Sequence, residues 1–131
     1  MSGITELAQL LASMKPELSQ DEFVFCSMNG TLEAYVHLAP LATFSEEEGL
    51  TLVLTKSAAS GAGLAFEQCF KRITLTVHSS LDAVGLTAAV ATKLTSKGIS
   101  ANVIAAYYHD HIFVPSAKAE QALLALEELS A

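Results

Sequence analysis

The residue types able to do chemistry gather in two short stretches of this chain. The first, His78-Ser79-Ser80-Leu81-Asp82-Ala83-Val84-Gly85, sets an imidazole, two hydroxyls, a carboxylate and a glycine close together. The second is Tyr107-Tyr108-His109-Asp110-His111. Serine, histidine and aspartate are the residue types of a hydrolytic triad. A triad, however, needs side chains converging within ~3 Å, and neighbours at a strand end point in opposite directions. Ser79 and Ser80 read better as caps of a helix start than as nucleophiles. His109 and His111, two apart on a strand, share a face and raise the question of a metal. Two imidazoles alone do not make a site, because zinc usually takes three or four protein ligands. His78 is a poor third ligand, because its strand is expected to run parallel to the one beginning at Asp110, which sets it near Val114, a strand length from His109. Phosphate-loop, dinucleotide and zinc-protease motifs are absent from the sequence. No catalytic residue and no cofactor is expected, and His109 and His111 stay weak candidates for a metal.

Binding is the chemistry left for the first stretch. A polar loop feeding a helix leaves first-turn N–H groups without intrahelical acceptors, and a small anion can take them up. Gly85, early in that helix, costs ~1 kcal/mol relative to alanine, so it needs a reason. Two are open: close packing of the helix, or a backbone that a ligand can touch because no side chain intervenes. Asp82 suits a helix start, where the dipole favours a negative charge. It is also the nearest carboxylate for an ammonium group.

These residues need a frame, and the pattern around them supplies one. Ile73, Leu75 and Val77 alternate with Thr74, Thr76 and His78, the period of a strand with one buried face. Asp82 to Lys97 is expected to be helical, with Leu86, Val90 and Leu94 on one stripe. Gly98 suits the left-handed position past its end, and Ile99 can fold back on Leu94. Ser100–Tyr107 and Asp110–Val114 are expected strands, and Pro115-Ser116 opens a last helix with Ala119, Ala122, Leu123, Leu126 and Leu129 inward. In the first half, a helix over Ser2–Met14 stops at Pro16, and Phe23–Met28 is a strand ended by Asn29-Gly30. Thr31–Leu38 reads as loose helical turns, Leu41–Phe44 and Leu50–Leu54 as strands, and Ala58–Ala62 as a short helix. The order β-α-β-β-α gives the α+β class and a ferredoxin-like sandwich, an antiparallel sheet with helices on one face. No strand follows the last helix. The missing edge is expected from the N-terminal half, through Phe23–Met28, or from another subunit.

Composition agrees with a globular chain. Of 131 residues, 51% are apolar and 16% charged, and 14 acidic against 7 basic residues leave a net charge of −7. No cluster of Lys and Arg could track phosphates, so neither nucleic acid nor membrane is an expected partner. Cys26 and Cys69 form no disulfide framework, which favours a reduced, cytoplasmic setting. No signal peptide and no apolar run near ~18 residues is apparent. Leu52-Val53-Leu54 with Ala59 and Ala62 echoes Ile112-Phe113-Val114 with Ala119 and Ala122, strand-then-helix at the same offsets. Duplication would make residues 1–66 a degenerate N-terminal lobe with a leading helix, and residues 67–131 a C-terminal lobe.

Several of these residues together resemble the ACT domains. Gly98-Ile99-Ser100, then Tyr107, Asp110 and Ile112-x-Val114-Pro115, stand at the spacing of that family, and Asp82-x-x-Gly85-Leu86 is similar to its loop between first strand and helix. Glu46-Glu47-Glu48-Gly49-Leu50-Thr51-Leu52-Val53 resembles the first half of small stand-alone ACT-like proteins. The resemblance implies an ACT-like fold, in one lobe or two fused. It also implies a non-catalytic regulatory module that binds an amino acid or similar effector where subunits meet, and a homo-oligomer, dimer or higher. It implies that Val84, Gly85 and Leu86 offer N–H groups to a carboxylate and that Asp110 faces the far end of the ligand; Ser79 and Asp82, on the same loop, are the further candidates for that site. Amino-acid-sensing relatives carry Ser-Thr before the tyrosine. Here Ala105 and Ala106 stand there, so two hydroxyl contacts are missing, and either the ligand differs or binding is lost.

Overall fold

The computed structural model describes residues 6–78 and 80–130. The chain divides into two compact units: the residues up to Gln20 join those from Lys71 onward, and Asp21–Phe70 form the other. In chain order the elements are α1 (Leu7–Ser13), β1 (Pro16–Met28), two 3-10 turns (Leu32–Ala34, Val36–Leu38), β2 (Ala42–Glu46), β3 (Gly49–Thr55) and α2 (Lys56–Gly61). Then follow β4 (Phe70–Leu75), α3 (Leu86–Ser96), β5 (Asn102–Ala105), β6 (Asp110–Pro115), a 3-10 turn (Ser116–Lys118) and α4 (Ala119–Leu129). Among the described residues no helix is long and apolar enough to cross a membrane. Both cysteines are free.

In the first unit the strands lie in the order β1-β4-β6-β5. Ile73 and Leu75 of β4 and Ile112 and Val114 of β6 pack into one core with Leu10, Val90, Leu94, Ala122 and Leu126 from α1, α3 and α4. The helices therefore share one face of the sheet. The sheet edge that the sequence left open is supplied by the start of β1. The Thr76 N–H and hydroxyl both reach the Lys15 carbonyl, at 3.4 and 2.9 Å, and the Arg72 N–H donates to the Ser19 hydroxyl at 3.1 Å. Phe23–Met28 pairs elsewhere, as described below. The run from Glu17 to Glu22 hides this strand from a sequence reading, because Leu18 is its only apolar residue.

One expectation about direction is overturned. The Thr74 hydroxyl meets His111 Nδ1 at 3.0 Å, and His109 Nδ1 lies 3.4 Å from the Val77 carbonyl. Positions rise along β4 as they fall along β6, so these strands are antiparallel, not parallel. The reason is connectivity. A helix crossover returns the chain parallel to β4 as β5, and the β5–β6 hairpin then reverses it.

Helix α3 also differs from expectation at its start. It begins at Leu86, not Asp82, because Gly85 takes φ +101° and breaks the helical path. Its exit is as the sequence indicates. Gly98 sits at φ +71°, its N–H donates to Thr95 O at 2.9 Å, and the Ile99 N–H reaches Leu94 O at 3.0 Å. Ile99 is buried in the same core as Leu94, completing the apolar clasp of this helix stop.

The second unit runs β2-β3-β1, all antiparallel, with Phe23 opposite Thr55 and Met28 opposite Leu50. Its core is Val24, Cys26, Leu50, Leu52, Leu54 and Ala59. Thr55 caps α2, its hydroxyl accepting the Ala58 N–H at 3.1 Å. Where the first unit has α3, this one has only the two 3-10 turns, steadied by the Tyr35 hydroxyl donating to Asn29 O. The loose turns expected over Thr31–Leu38 are therefore there.

Candidate ligand-binding loop

The candidate site is the connection from β4 to α3. Ser79 lies outside the described residues. Ser80 folds the loop into a tight turn: its hydroxyl accepts the Asp82 N–H at 3.1 Å and its carbonyl accepts the Ala83 N–H at 3.0 Å. That occupies the Ser80 hydroxyl in turn geometry and leaves Asp82 outside the helix, exposed on the loop. Leu81 and Val84 are strongly exposed, at 66% and 81%. Leu86 is the opposite, buried in the core, so it anchors the loop and offers only its backbone. Gly85, the N-cap, has no side chain with which to cap α3. Among the described residues no side-chain cap is seen at the start of this 11-residue helix, whose first-turn N–H groups have no intrahelical acceptors.

Packing accounts for the glycine. A Cβ at Gly85 would lie 3.1 Å from Leu7 Cδ2, on a backbone already at φ +101°. The backbone angle disfavours a side chain whether or not a ligand is present, and Leu7 would have to give way by a few tenths of an ångström. Leu7, Gly85, Ala88, Ala89 and Leu129 line an open, mainly apolar groove of about 510 Å³.

The second chemical stretch meets the first at one end of this unit. The β5–β6 turn closes through the Ala106 N–H on His109 O at 3.0 Å. The His78 ring lies 5.2 Å from that of Tyr108 and 6.4 Å from that of Tyr107, and the two tyrosines stack edge to face at 4.9 Å. Sequence reasoning missed this cluster because it had the direction of β6 reversed. The hairpin between Ala105 and Asp110 was the signal that could have corrected it. Tyr107 and Tyr108 are both more than half exposed, whereas Asp110, opposite Ala105, is only 9% exposed. Its carboxylate is held in the fold and is not presented on an open rim. Among the described residues no three His, Cys, Asp or Glu side chains gather to hold a metal ion.

His111 carries a pH dependence. Burial first, then the charges of Arg72 and His109, hold its imidazole below the ordinary histidine value. At a pH between the two values the unfolded chain binds a proton here that the folded chain does not. The contribution is therefore complete above about pH 6.5 and is lost as the pH falls through the folded value. We expect the melting temperature to drop between about pH 7 and pH 5, and the His111→Asn variant to show a shallower drop. Equal slopes would remove His111 from the account.

Two family models match, both described as ACT domain, over residues 2–71 and 71–128. A Vibrio cholerae protein of unknown function, described as a possible transport protein, is 60% identical with a TM-score of 0.88, over 95% of this chain and 96% of that one. The ligand-free regulatory subunit of aspartate kinase from Thermus thermophilus matches at TM-score 0.62 and 12% identity, over 92% of this chain and 99% of its own. Aspartate kinase from Clostridium acetobutylicum matches at TM-score 0.74 and 8% identity, over 88% of this chain and 34% of that longer one. The last two are likenesses of fold. No curated protein matches the chain.

Proposed function

We propose that this chain, which belongs to the ACT-domain family, is a non-catalytic cytoplasmic regulator that binds a free amino acid or a related carboxylate where two copies meet. The observation that carries this reading is the uncapped start of α3 beside an exposed loop. In this reading the N–H groups of Val84, Gly85 and Leu86 receive the carboxylate, and the exposed Asp82 meets the ammonium group. Ser79 borders the same loop in sequence. Asp110 is the weaker partner for a cationic group, because reaching it means entering the fold. Leu81, Val84, Tyr107 and Tyr108 leave apolar surface at this end of the unit, and a second copy of the chain is the proposed cover. Regulation follows if the ligand favours one arrangement of the copies over another, the coupling being the difference in its affinities.

The test is thermal denaturation with each standard amino acid supplied singly. Saturation at about 100 times Kd adds about 2.7 kcal/mol, several degrees in Tm. Asp82→Asn should reduce that rise while leaving the unliganded Tm close to the native one, as expected for an exposed residue. Gly85→Leu is an unsuitable probe, because it would collide with Leu7. A flat response across the panel would favour the second reading, a structural oligomer with a vestigial pocket. The observation on its side is the Leu7 side chain against Gly85.

A further inference from the structure

Leu7 covers the one side of Gly85 that a substituent would occupy. The geometry points to α1 as an internal competitor for the loop: its first turn fills the notch at Gly85, and a ligand seated there displaces it. This rests on the ligand-binding reading of the loop and adds its regulation.

Helix α1 is held unevenly along its length. Leu10 and the following Met14 are 0% and 1% exposed and belong to the core, whereas Leu7 keeps 36% of its surface. Leu10 and Met14 hold the far end of the helix in the core, while Leu7 at the near end is partly exposed against Gly85. With seven residues and no capping side chain at Glu6, α1 has little intrinsic helical stability, since helices this short depend on packing. Its first turn can therefore lift while Leu10 and Met14 stay in place. Leu7 is one wall of the open groove that Ala88, Ala89 and Leu129 also line, so lifting it widens that groove. Occupying the loop thus changes an apolar surface along α3, which is how a small ligand could be reported to a partner.

A competitor of this kind lowers apparent affinity by the fraction of molecules whose notch is open. Weakening it should tighten binding. The experiment titrates the amino acid that gives the largest thermal shift into the native protein and into Leu7→Ala, Leu7→Met and Leu124→Ala. Leu7→Ala should bind about tenfold more tightly. Leu7→Met keeps the reach of the side chain and should match the native protein, as should Leu124→Ala, an exposed leucine on α4. A second readout needs no variant. The Leu10 N–H, bonded to Glu6 O at 2.9 Å, should exchange with solvent faster once that amino acid is bound. Unchanged affinity in Leu7→Ala, or slower exchange at Leu10 on binding, overturns the competitor while the ligand reading stands. A panel in which neither the native protein nor Leu7→Ala shifts with any amino acid overturns both.

Discussion

Replacing Gly49 with alanine is expected to cost about 2–4 kcal/mol of stability, the sum of a strained backbone and an overpacked contact. Gly49 opens β3 at φ +155°, opposite Glu46 across the β2–β3 hairpin. A Cβ there would stand 2.9 Å from the Met28 carbonyl oxygen and 3.1 Å from the Ser27 hydroxyl. The hydroxyl can rotate away. The carbonyl cannot, because Met28 and Ser27 are fixed in the ladder opposite Leu50 and Thr51. Gly63→Ala is the control. It also has positive φ, +69°, but a Cβ there meets nothing within 4 Å, so it isolates the backbone penalty of about 1–2 kcal/mol. Urea unfolding of both variants checks the argument, which fails if Gly49→Ala loses no more than Gly63→Ala.

Leu94→Ala should be as damaging in the other unit, at about 3–5 kcal/mol. Leu94 is fully buried, in one core with Val90, Ile112 and Leu126. Truncating it removes buried apolar surface and leaves a void that surrounding strands and helices cannot close. It also takes away the residue on which Ile99 folds back at the helix stop. Domains of this size are stable by only about 5–15 kcal/mol, so this single change removes a large share. The neighbouring Lys93 gives the contrast. Its ammonium lies 2.5 Å from the Glu128 carboxylate, but the Glu128 side chain is 53% exposed, and exposed pairs are worth about 0–1 kcal/mol. Thermal melts should therefore separate Leu94→Ala widely from Lys93→Ala. Similar losses would mean that the packing argument has misjudged this core.

What could be read from the sequence follows from where the local signal is strong. The stop of α3 was legible because Gly98 and Ile99 act within one turn of chain. The alternation of β4 was legible because Ile73 and Leu75 each meet one core and nothing else. The first half of β1 was not, since Glu17, Ser19 and Gln20 give no apolar period, and their pairing depends on residues more than fifty positions away. The direction of β6 against β4 is a property of two connections together, and no single segment encodes it. The start of α3 was placed too early because Asp82 and Ala83 are acceptable helix residues. Only the φ of Gly85 excludes them. At the candidate site the loop residues were visible, and so was the choice between packing and binding at Gly85. That Leu7 decides the packing half of this choice could not be seen, because α1 carries no motif that names its neighbour.

The interleaving of the two units along the chain sets an order on synthesis. Asp21–Phe70 is a continuous segment, so the strand pairings within it are available once Phe70 has been made. The residues up to Gln20 emerge first but have no partner until β4 is made, since the contact of Lys15 with Thr76 spans 61 positions and that of Ser19 with Arg72 spans 53. Closing such long loops before any contact rewards them slows folding. Leu10 and Met14 therefore stay without the core that buries them until β4, α3 and β6 have been made.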